Sequence, residues 1–390
     1  MRKFLFLVFL SIELFSYELG NFLSPNYSEL FGLQLQKSKT QEKLNSLSWI
    51  SPIIFSFQRN WSNQIEGGWH PYNSYSIGIE QPIFKSGGIF FGIKYAKSSY
   101  YLAKYKIIQQ KVNLNTQAAQ LLFQIEQTKL NLQKLKLQIK NSNIEIKKTK
   151  ELFDAGLYGS EVLENALVRG DEANIAYLNL EAELETLKAA FKKISNRDLN
   201  NISLPKLRLL SLQEYMNNNL DIKIALAKRL SSKYYKSVVR SKYLPTISVG
   251  ARYTKISNAK PQTKDAFTNY NLKISMPISI NMKNDLEIAK LDNLISQIDL
   301  KNIRKAQKIE YQTVLKRLKI INNKIKLSKK EANAYKRLLK STKELYRAGQ
   351  KSIDDVNMIK NSLKIKLLDI KIFKIQKDLE LLKLYSKVDI

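Results

Sequence analysis

Two stretches of the chain are longer and more regular than the helices of an ordinary globular domain. Residues 93–155 contain neither glycine nor proline, the residues that most often end a helix. Apolar residues recur there at alternating spacings of three and four, as at Ala118, Leu121 and Ile125 and again at Leu132, Leu135 and Ile139, which is typical of a coiled-coil seam. A helix of about 65 residues is roughly 100 Å long. The sequence therefore predicts extended helical structure.

The chain also contains an internal duplication. Three pairs of landmark residues are Pro52 and Pro245, Pro82 and Pro277, and Gly156 and Gly349. The offsets within these pairs are 193, 195 and 193 residues. Three nearly equal offsets, with the same pattern between the landmarks, predict two copies of one unit.

Each copy has the same predicted order of elements. The first copy, residues 17–196, has a helix at about 26–47, strands at about 51–62 and 73–84, a long helix at about 88–153 and a helix at about 161–195. The second copy, residues 212–390, has a helix at about 212–241, strands at about 244–256 and 269–280, a long helix at about 283–346 and a helix at about 352–386. Residues 197–211 form the predicted connection.

The first 16 residues have the pattern of a signal peptide. Arg2 and Lys3 precede an unbroken apolar run, and Ser16 offers a small residue for cleavage. The alternative, favoured by Glu13 after the apolar run, is an N-terminal helix buried in the fold. No later segment has about 18 consecutive apolar residues, so the sequence predicts no transmembrane helix.

The predicted strands alternate between apolar and polar residues. In the first strand Phe55 and Phe57 share one face, and Ser56 and Gln58 share the other. Strands of about ten to twelve residues match a tilted bilayer-spanning strand, and a small soluble sheet is the alternative. Four strands cannot close a barrel, and lipid does not tolerate an open sheet edge. The membrane interpretation therefore requires several copies of the chain.

Composition excludes several functional classes. The chain has 65 Lys+Arg, 34 Asp+Glu, one His and no Cys, with a net charge of +31. Without Cys there are no disulfides, thiolate nucleophiles or Cys-ligated metals, and one His argues against His-based metal sites and catalytic triads. The positive charge permits nucleic-acid binding, but the lysines are scattered along helices without a recognition motif. We therefore expect no enzyme, no cofactor, no metal site and no nucleic-acid partner.

Four segments of the chain resemble the TolC-type outer-membrane efflux proteins. They are EQPIFKSGG at 80–88, YLPTISVGARY at 243–253, LFDAGLYGSEVLENA at 152–166 and LYRAGQKSIDDV at 345–356. The resemblance implies an α+β membrane protein in which a long α-helical coiled-coil barrel joins a trimeric 12-stranded β-barrel, with four strands from each chain. It also implies a homotrimer in the lipid of the outer membrane, with the helices in the periplasm. The periplasmic tip would open when an inner-membrane pump and a periplasmic adaptor engage it.

The same resemblance implies an adaptor-docking role for the two turns between helices. The family's RxG tip motif matches Arg347, Ala348 and Gly349 in the second turn. The first turn has Asp154, Ala155 and Gly156 at these positions, so it departs from the motif at its first residue. Independently of the resemblance, Gly156 and Gly349 are predicted to end their helices in the left-handed conformation.

A gate near these turns is implied in the same way, one position at a time. Tyr346 matches a gate tyrosine, Lys351 stands where the family has an arginine, and Asp355 matches a pore-facing aspartate. Glu161 stands where the family has an aspartate in the first turn, and Met358 replaces a second aspartate. The residues alone also give Asp355 a local role, as a carboxylate in the first turn of the helix after Ser352.

Together these observations predict a passive exit duct in the outer membrane, serving a tripartite efflux or type I secretion system. The alternative is a secreted or periplasmic coiled-coil scaffold without a pore. In that alternative the four strands form a small soluble sheet.

Overall fold

A computed structural model of the chain describes residues 21–63, 68–199, 202–257 and 265–389. The predicted signal peptide, residues 1–16, lies outside the described residues. The described helices are α1 (Pro25–Ser46), α2 (Gly88–Asp154), α3 (Ser160–Ile194), α4 (Leu212–Asn218), α5 (Leu220–Lys242), α6 (Met282–Arg347) and α7 (Ile353–Tyr385). None of these helices is long and apolar enough to cross a membrane.

Four strands form one antiparallel sheet in the order β1-β2-β3-β4. Their bounds are β1 (Ile54–Ser62), β2 (His70–Phe84), β3 (Thr246–Ser257) and β4 (Ala266–Ser275). The central pairing joins β2 to β3, so the sheet unites strands from the two halves of the sequence. A mostly helical chain with a four-stranded sheet confirms the predicted combination of helices and strands.

The register of the sheet collects apolar side chains on one face. Phe55 pairs with Ile77 and Ile77 with Tyr253, while Val249 pairs with Leu272. In the single chain Leu272 is 69% exposed. The alternating residues Ser56, Ser76 and Thr254 form a polar row on the other face. The alternation predicted from the sequence therefore gives the sheet two chemically distinct faces.

The structure differs from the sequence prediction at the helix expected over 212–241. Asn219 has an extended backbone and separates α4 from α5. The amide of Leu220 donates to the carbonyl of Lys387, and Asn219 forms an isolated β-bridge with Val388. The fully buried Asn219 side chain also donates to Gln307 at 2.9 Å. Contacts distant in sequence thus replace the helical hydrogen bonds at this position.

The fourth strand also ends earlier than predicted. It was expected over 269–280, but β4 ends at Ser275, which pairs with Thr246 at the beginning of β3. Beyond Ser275 the strand has no residue of β3 to pair with, and Pro277 has no amide hydrogen to donate.

The chain forms two compact units that do not follow the predicted repeats. Of the described residues, those in 21–31, 108–220 and 305–389 form the first unit. Residues 32–107 and 221–304 form the second unit, which contains the sheet. Each unit therefore takes segments from both halves of the chain, and the duplication stays a prediction.

In the first unit four helices lie side by side in the order α3, α2, α7, α6. Gly170 of α3 approaches α2 so closely that an added Cβ would lie 2.8 Å from Cδ1 of Ile146. On its other side α2 contacts α7 through the ion pair of Lys134 with Asp369, at 2.7 Å. Helix α7 in turn contacts α6 through Lys366 and Glu331 at 2.9 Å.

The outer helices of this layer each expose a row of apolar side chains. We call these rows the α3 seam, formed by Val168, Ile175 and Leu178, and the α6 seam, formed by Ile309, Ile320, Leu327, Leu338 and Leu345. Leu178 is 62% exposed and Leu327 is 60% exposed in the single chain. Neighbouring residues are 7 and 3 positions apart in the α3 seam and 11 or 7 apart in the α6 seam, so each row stays on one side of its helix. Neither seam is covered by another described part of the chain.

Candidate functional site

The two turns that join the helix pairs of the first unit share one geometry. Gly156 has a φ angle of 73° and Gly349 a φ angle of 75°. The amide of Leu157 donates to the carbonyl of Leu152 at 2.9 Å, and that of Gln350 donates to Leu345 at 2.9 Å. Each glycine amide also donates to the carbonyl three residues earlier. These bonds form a Schellman motif, so the predicted left-handed helix ends are confirmed.

The helices that follow the two turns begin differently. Gly159 precedes α3 and offers no side chain to cap it. Before α7 the Oγ atom of Ser352 accepts from the amide of Asp355 at 3.2 Å. The amide of Ser352 donates back to the Asp355 carboxylate at 2.9 Å. This capping box satisfies two backbone donors and gives Asp355 the local role predicted from the sequence.

Asp355 also binds the neighbouring long helix. Its Oδ1 atom lies 2.5 Å from Nζ of Lys148, and its side chain is 27% exposed. The hydrogen bond from Lys148, followed by the Ser352 amide, holds the pKa of Asp355 well below its ordinary value. The adjacent Asp354 accepts from Lys147 at 3.2 Å, and this bond raises the pKa of Lys147. Two lysine–aspartate pairs therefore join α2 to α7 beside the turns.

A polar layer connects the same two helices farther from the turns. The side-chain amide of Asn361 donates to Asn141 Oδ1 at 2.9 Å. Asn141 donates in turn to the backbone carbonyl of Met358 at 3.4 Å. Because partly buried amides are stabilised by hydrogen-bond partners, this layer favours one register of α2 against α7.

No protein-family model matches the sequence, and no curated protein matches it. Solved structures do match the fold. The CmeC outer membrane channel of Campylobacter jejuni superimposes with a TM-score of 0.73 and 17% identity over 94% of this chain and 84% of CmeC. The outer membrane protein VceC of Vibrio cholerae has a TM-score of 0.74 and 12% identity over 94% of each chain. The open state of the MtrE outer membrane channel of Neisseria gonorrhoeae has a TM-score of 0.66 and 14% identity over 92% of this chain and 86% of MtrE.

The chain has the fold of the TolC-type outer-membrane channels. The resemblance found in the sequence is thus confirmed at the level of the fold. The coverage extends over nearly the whole chain, so the likeness includes both the sheet and the long helices.

Within this TolC-type fold, the residues predicted for the docking turns are all exposed. They are Asp154, Ala155, Gly156, Arg347, Ala348 and Gly349. In the described part of the chain, neither Asp154 nor Arg347 has a side-chain hydrogen bond or ion pair. The two turns therefore present unpaired charges of opposite sign, one on each turn.

The residues predicted for the gate lie near the turns in different environments. Tyr346 is 43% exposed, and Lys351 is also exposed. Glu161 lies in the first turn of α3, and its carboxylate folds over the backbone of Gly159. Within the described ranges the structure shows no hydrogen bond or ion pair among the side chains of Tyr346, Lys351, Asp355 and Glu161. In a single chain these four residues therefore do not form a cluster.

Sequence reasoning missed the lysines that bind the aspartates. Lys147 and Lys148 lie on α2, far in sequence from Asp354 and Asp355. The one sequence feature that could have indicated these lysines is their position just before the end of α2. Because α2 and α7 run antiparallel, residues shortly before the first turn lie beside residues shortly after the second.

Proposed function

We propose that this chain is one subunit of a passive outer-membrane channel, the exit duct of a tripartite efflux or type I secretion system. Three copies would supply a barrel of twelve strands in the outer membrane and a helical tunnel in the periplasm. The observation that carries this proposal is the exposed apolar face of the four-stranded sheet.

This face is mostly apolar, with Lys255 and Gln81 among the few polar residues that the register places on it. Phe55 of β1 is 69% exposed and Ile274 of β4 is 70% exposed, and Ile77 and Tyr253 lie on the same face of the two central strands. Soluble monomers rarely expose a contiguous apolar surface of this extent. Contact with lipid would cover it, as on the outer face of a membrane barrel.

The opposite face of the sheet suits a watery lumen. The hydroxyls of Ser56 and Ser76 are 2.7 Å apart across β1 and β2. Lys273 of β4 lies 3.2 Å from Glu80 of β2. Polar and paired charged groups on this side agree with an interior in contact with water.

Unpartnered edges and seams support assembly of several copies. Strands β1 and β4 each pair along one edge only, and open edges are not tolerated in lipid. The α3 seam and the α6 seam lie on opposite edges of the helical layer. A copy that packs its α3 seam against the α6 seam of the next would close a ring without leaving either seam exposed.

We assign the gate to the residues beside the turns. Tyr346 and Lys351 have free side chains that can reach a neighbouring copy, and Asp355 and Glu161 contribute the negative charge. Opening would separate α7 from α2 at the pair of Lys148 with Asp355. Because a partly exposed pair contributes only about 0–1 kcal/mol, engagement of a partner could break it.

The exposed turn residues Arg347, Ala348 and Gly349, with Asp154, Ala155 and Gly156, would contact the periplasmic adaptor. The inner-membrane pump would supply the energy, so the chain itself needs no cofactor and no catalytic group. Nucleic acid has no place in this function.

Planar-bilayer conductance of the detergent-purified protein tests the proposal. We expect a small wild-type conductance that rises in Asp355→Ala and rises less in Asp354→Ala, the matched control from the same helical turn, because its partner Lys147 is more exposed than Lys148. Unchanged conductance in Asp355→Ala would support the channel but contradict a role of Asp355 in its gate. A protein recovered in the aqueous periplasmic fraction, without conductance, would support the scaffold alternative instead.

A further inference from the structure

Two cavities of the first unit meet near the end of α7. The first has a volume of about 380 Å³ and lies between α7 and α6. The second has a volume of about 280 Å³ and lies between α7 and α2. Leu379 and Lys383 line both cavities, so these form the two halves of one recess, which we call the Lys383 recess.

The half of the recess beside α6 is positively charged. Arg317, Lys324 and Lys383 line it, and Glu380 is the one carboxylate among its lining residues. The ammonium group of Lys324 lies 5.8 Å from the ring centre of Phe373. Within the described residues no carboxylate lies at ion-pair distance from Lys324. Three cations against one carboxylate leave an excess of positive charge, which favours an anionic ligand.

Glu380 holds two of these cations in place. Its side chain is 8% exposed, with Oε1 3.5 Å from Nη1 of Arg317 and Oε2 2.6 Å from Nζ of Lys383. An ammonium group has three N–H donors and a guanidinium group has five, so each cation keeps donors for a second anion. The side chains of Arg317 and Lys383 are themselves 55% and 49% exposed. A buried carboxylate therefore fixes two cations at a surface that a ligand can reach.

The half of the recess beside α2 is polar and, apart from Lys383, uncharged. Thr116, Gln120 and Gln124 line it at intervals of four residues, so they form one row along α2. Ser386 of α7 lines the same half. Hydroxyl and carboxamide groups both donate and accept hydrogen bonds, which is what the hydroxyls of a ligand require.

Several of these polar groups have no partner within the described part of the chain. Thr116 is 6% exposed, and its Oγ1 atom is buried without a hydrogen bond. Among the described residues, the side chains of Gln120 and Gln124 also form no hydrogen bond with the chain. Because buried polar atoms in proteins nearly always have partners, the recess indicates polar groups supplied from outside the chain.

We propose that the Lys383 recess binds a small hydroxylated organic anion, of the class of sugar phosphates and sugar acids. The anionic group would bind Arg317, Lys324 and Lys383 through charge-assisted hydrogen bonds. The hydroxyls would bind the carboxamides of Gln120 and Gln124 in the other half. Each half is close to the lower limit of ligand pockets, about 300 Å³, which suits a small ligand.

This binding goes beyond the proposed channel function and does not depend on it. Every lining residue of the recess belongs to one chain. Ile320 of the α6 seam also lines the half beside α6, so a neighbouring copy in the proposed ring would lie next to the recess. Leu338→Asp disrupts the same seam about 20 Å along α6 from Lys324, and it should leave ligand binding unchanged.

Isothermal titration calorimetry of the full-length protein in detergent tests the proposal with two probes, glucose 6-phosphate and gluconate. We expect saturable binding of at least one probe, with a dissociation constant of about 1 mM or lower. Glucose and inorganic phosphate each carry only half of the matching groups, so each should bind at least about tenfold more weakly. The tighter of the two probes shows whether the recess prefers a phosphate or a carboxylate.

One variant in each half of the recess makes the test specific. Lys324→Gln removes a cation without breaking an ion pair, and it should weaken binding of the tighter probe by about fivefold or more. Lys326→Gln, the matched control outside the recess, removes the same charge from α6 and should change binding by less than about twofold. Gln124→Ala should weaken binding by about threefold or more, whereas Gln127→Ala, its control on α2, should not.

Several outcomes would overturn the proposal. They are an absence of saturable binding of either probe to the wild type, equal weakening in Lys324→Gln and Lys326→Gln, and binding of inorganic phosphate as tight as that of the tighter probe. Lys324 is exposed, so its replacement should leave the fold intact by circular dichroism. Loss of binding in Leu338→Asp would contradict a site formed by one chain. Loss of conductance with intact ligand binding would count against the proposed channel alone.

Discussion

The Nζ atom of Lys148 lies 2.5 Å from Oδ1 of Asp355, and the same carboxylate closes the capping box with Ser352. One side chain therefore both begins α7 and holds it to α2. A residue that the family resemblance assigns to a gate has a structural role within the single chain. Any change at Asp355 acts on the gate and on the start of the helix together.

The pH dependence of this region follows from the pKa of Asp355. Because the folded-state pKa is depressed, the ion pair and cap stabilise the fold at neutral pH and remain until the pH falls below the unfolded value of about 3.9. We expect Asp355→Asn to destabilise the start of α7 by about 0.5–1 kcal/mol at pH 7, and by less as the pH falls from about 4 toward the folded-state value. Hydrogen exchange of the amides at 353–358 measures this.

Asp354→Asn is the control for that measurement. Its partner Lys147 has a side chain that is 63% exposed, so Asp354→Asn should destabilise the start of α7 by less than Asp355→Asn does. A loss of stability in Asp355→Asn that is equally large at pH 7 and at pH 2 would contradict the role of the ionised carboxylate.

The second turn should depend on the backbone freedom of Gly349. Gly349→Ala places a side chain at a φ angle of 75°, which costs about 1–2 kcal/mol although nothing lies within 4 Å of the new Cβ. Gly92→Ala, inside α2 and equally free of neighbours, should stabilise the helix by about 0.5–1 kcal/mol. Thermal unfolding in detergent compares the two. Similar shifts of the midpoint in both variants would argue against strain at the turn.

The two faces of the sheet should respond oppositely to charge. Leu272→Lys places an ammonium group on the apolar face, where burial in lipid costs about 2–4 kcal/mol near the bilayer midplane. Asn271→Lys, the neighbouring position on the polar face, should be tolerated. The measurement is the fraction of protein that folds into lipid vesicles. Equal folding of both variants would show that lipid does not cover the apolar face.

The α6 seam should control assembly. Leu327→Asp introduces a charge into the exposed seam, and the proposed ring would have to bury it. We expect native mass spectrometry to show mainly single chains for Leu327→Asp. Lys326→Asp, one position away and outside the seam, should keep the assembly of the wild type. Intact assembly of the Leu327→Asp variant would show that the interface between copies does not include the α6 seam.

The sheet was predictable because its pattern is local. Alternating residues such as Phe55 and Ser56 have opposite environments in every register that pairs the strands, so the two faces follow from the sequence. The turns were predictable for a similar reason, since a glycine directly after a long helix commonly ends it in the left-handed conformation.

Features that depend on distant contacts were not predictable. The break at Asn219 arises from hydrogen bonds of residues 218–220 with 387–389, and the three consecutive asparagines there are only a weak local signal. The partner of Asp355 was missed for the same reason. Its prediction requires knowing which faces of α2 and α7 meet, and a helical repeat alone does not give the rotation of each helix.

The pairing of β2 with β3 has a consequence for how the protein reaches its final state. Until residues 246–275 are available, β1 and β2 can form only an isolated two-stranded hairpin, which is marginally stable in water. Closure over so long an intervening segment is slow, and the apolar strands remain open to aggregation meanwhile. The yield of active protein should therefore be limited by folding kinetics, so that slower synthesis and dilute refolding increase it more than stabilising substitutions do.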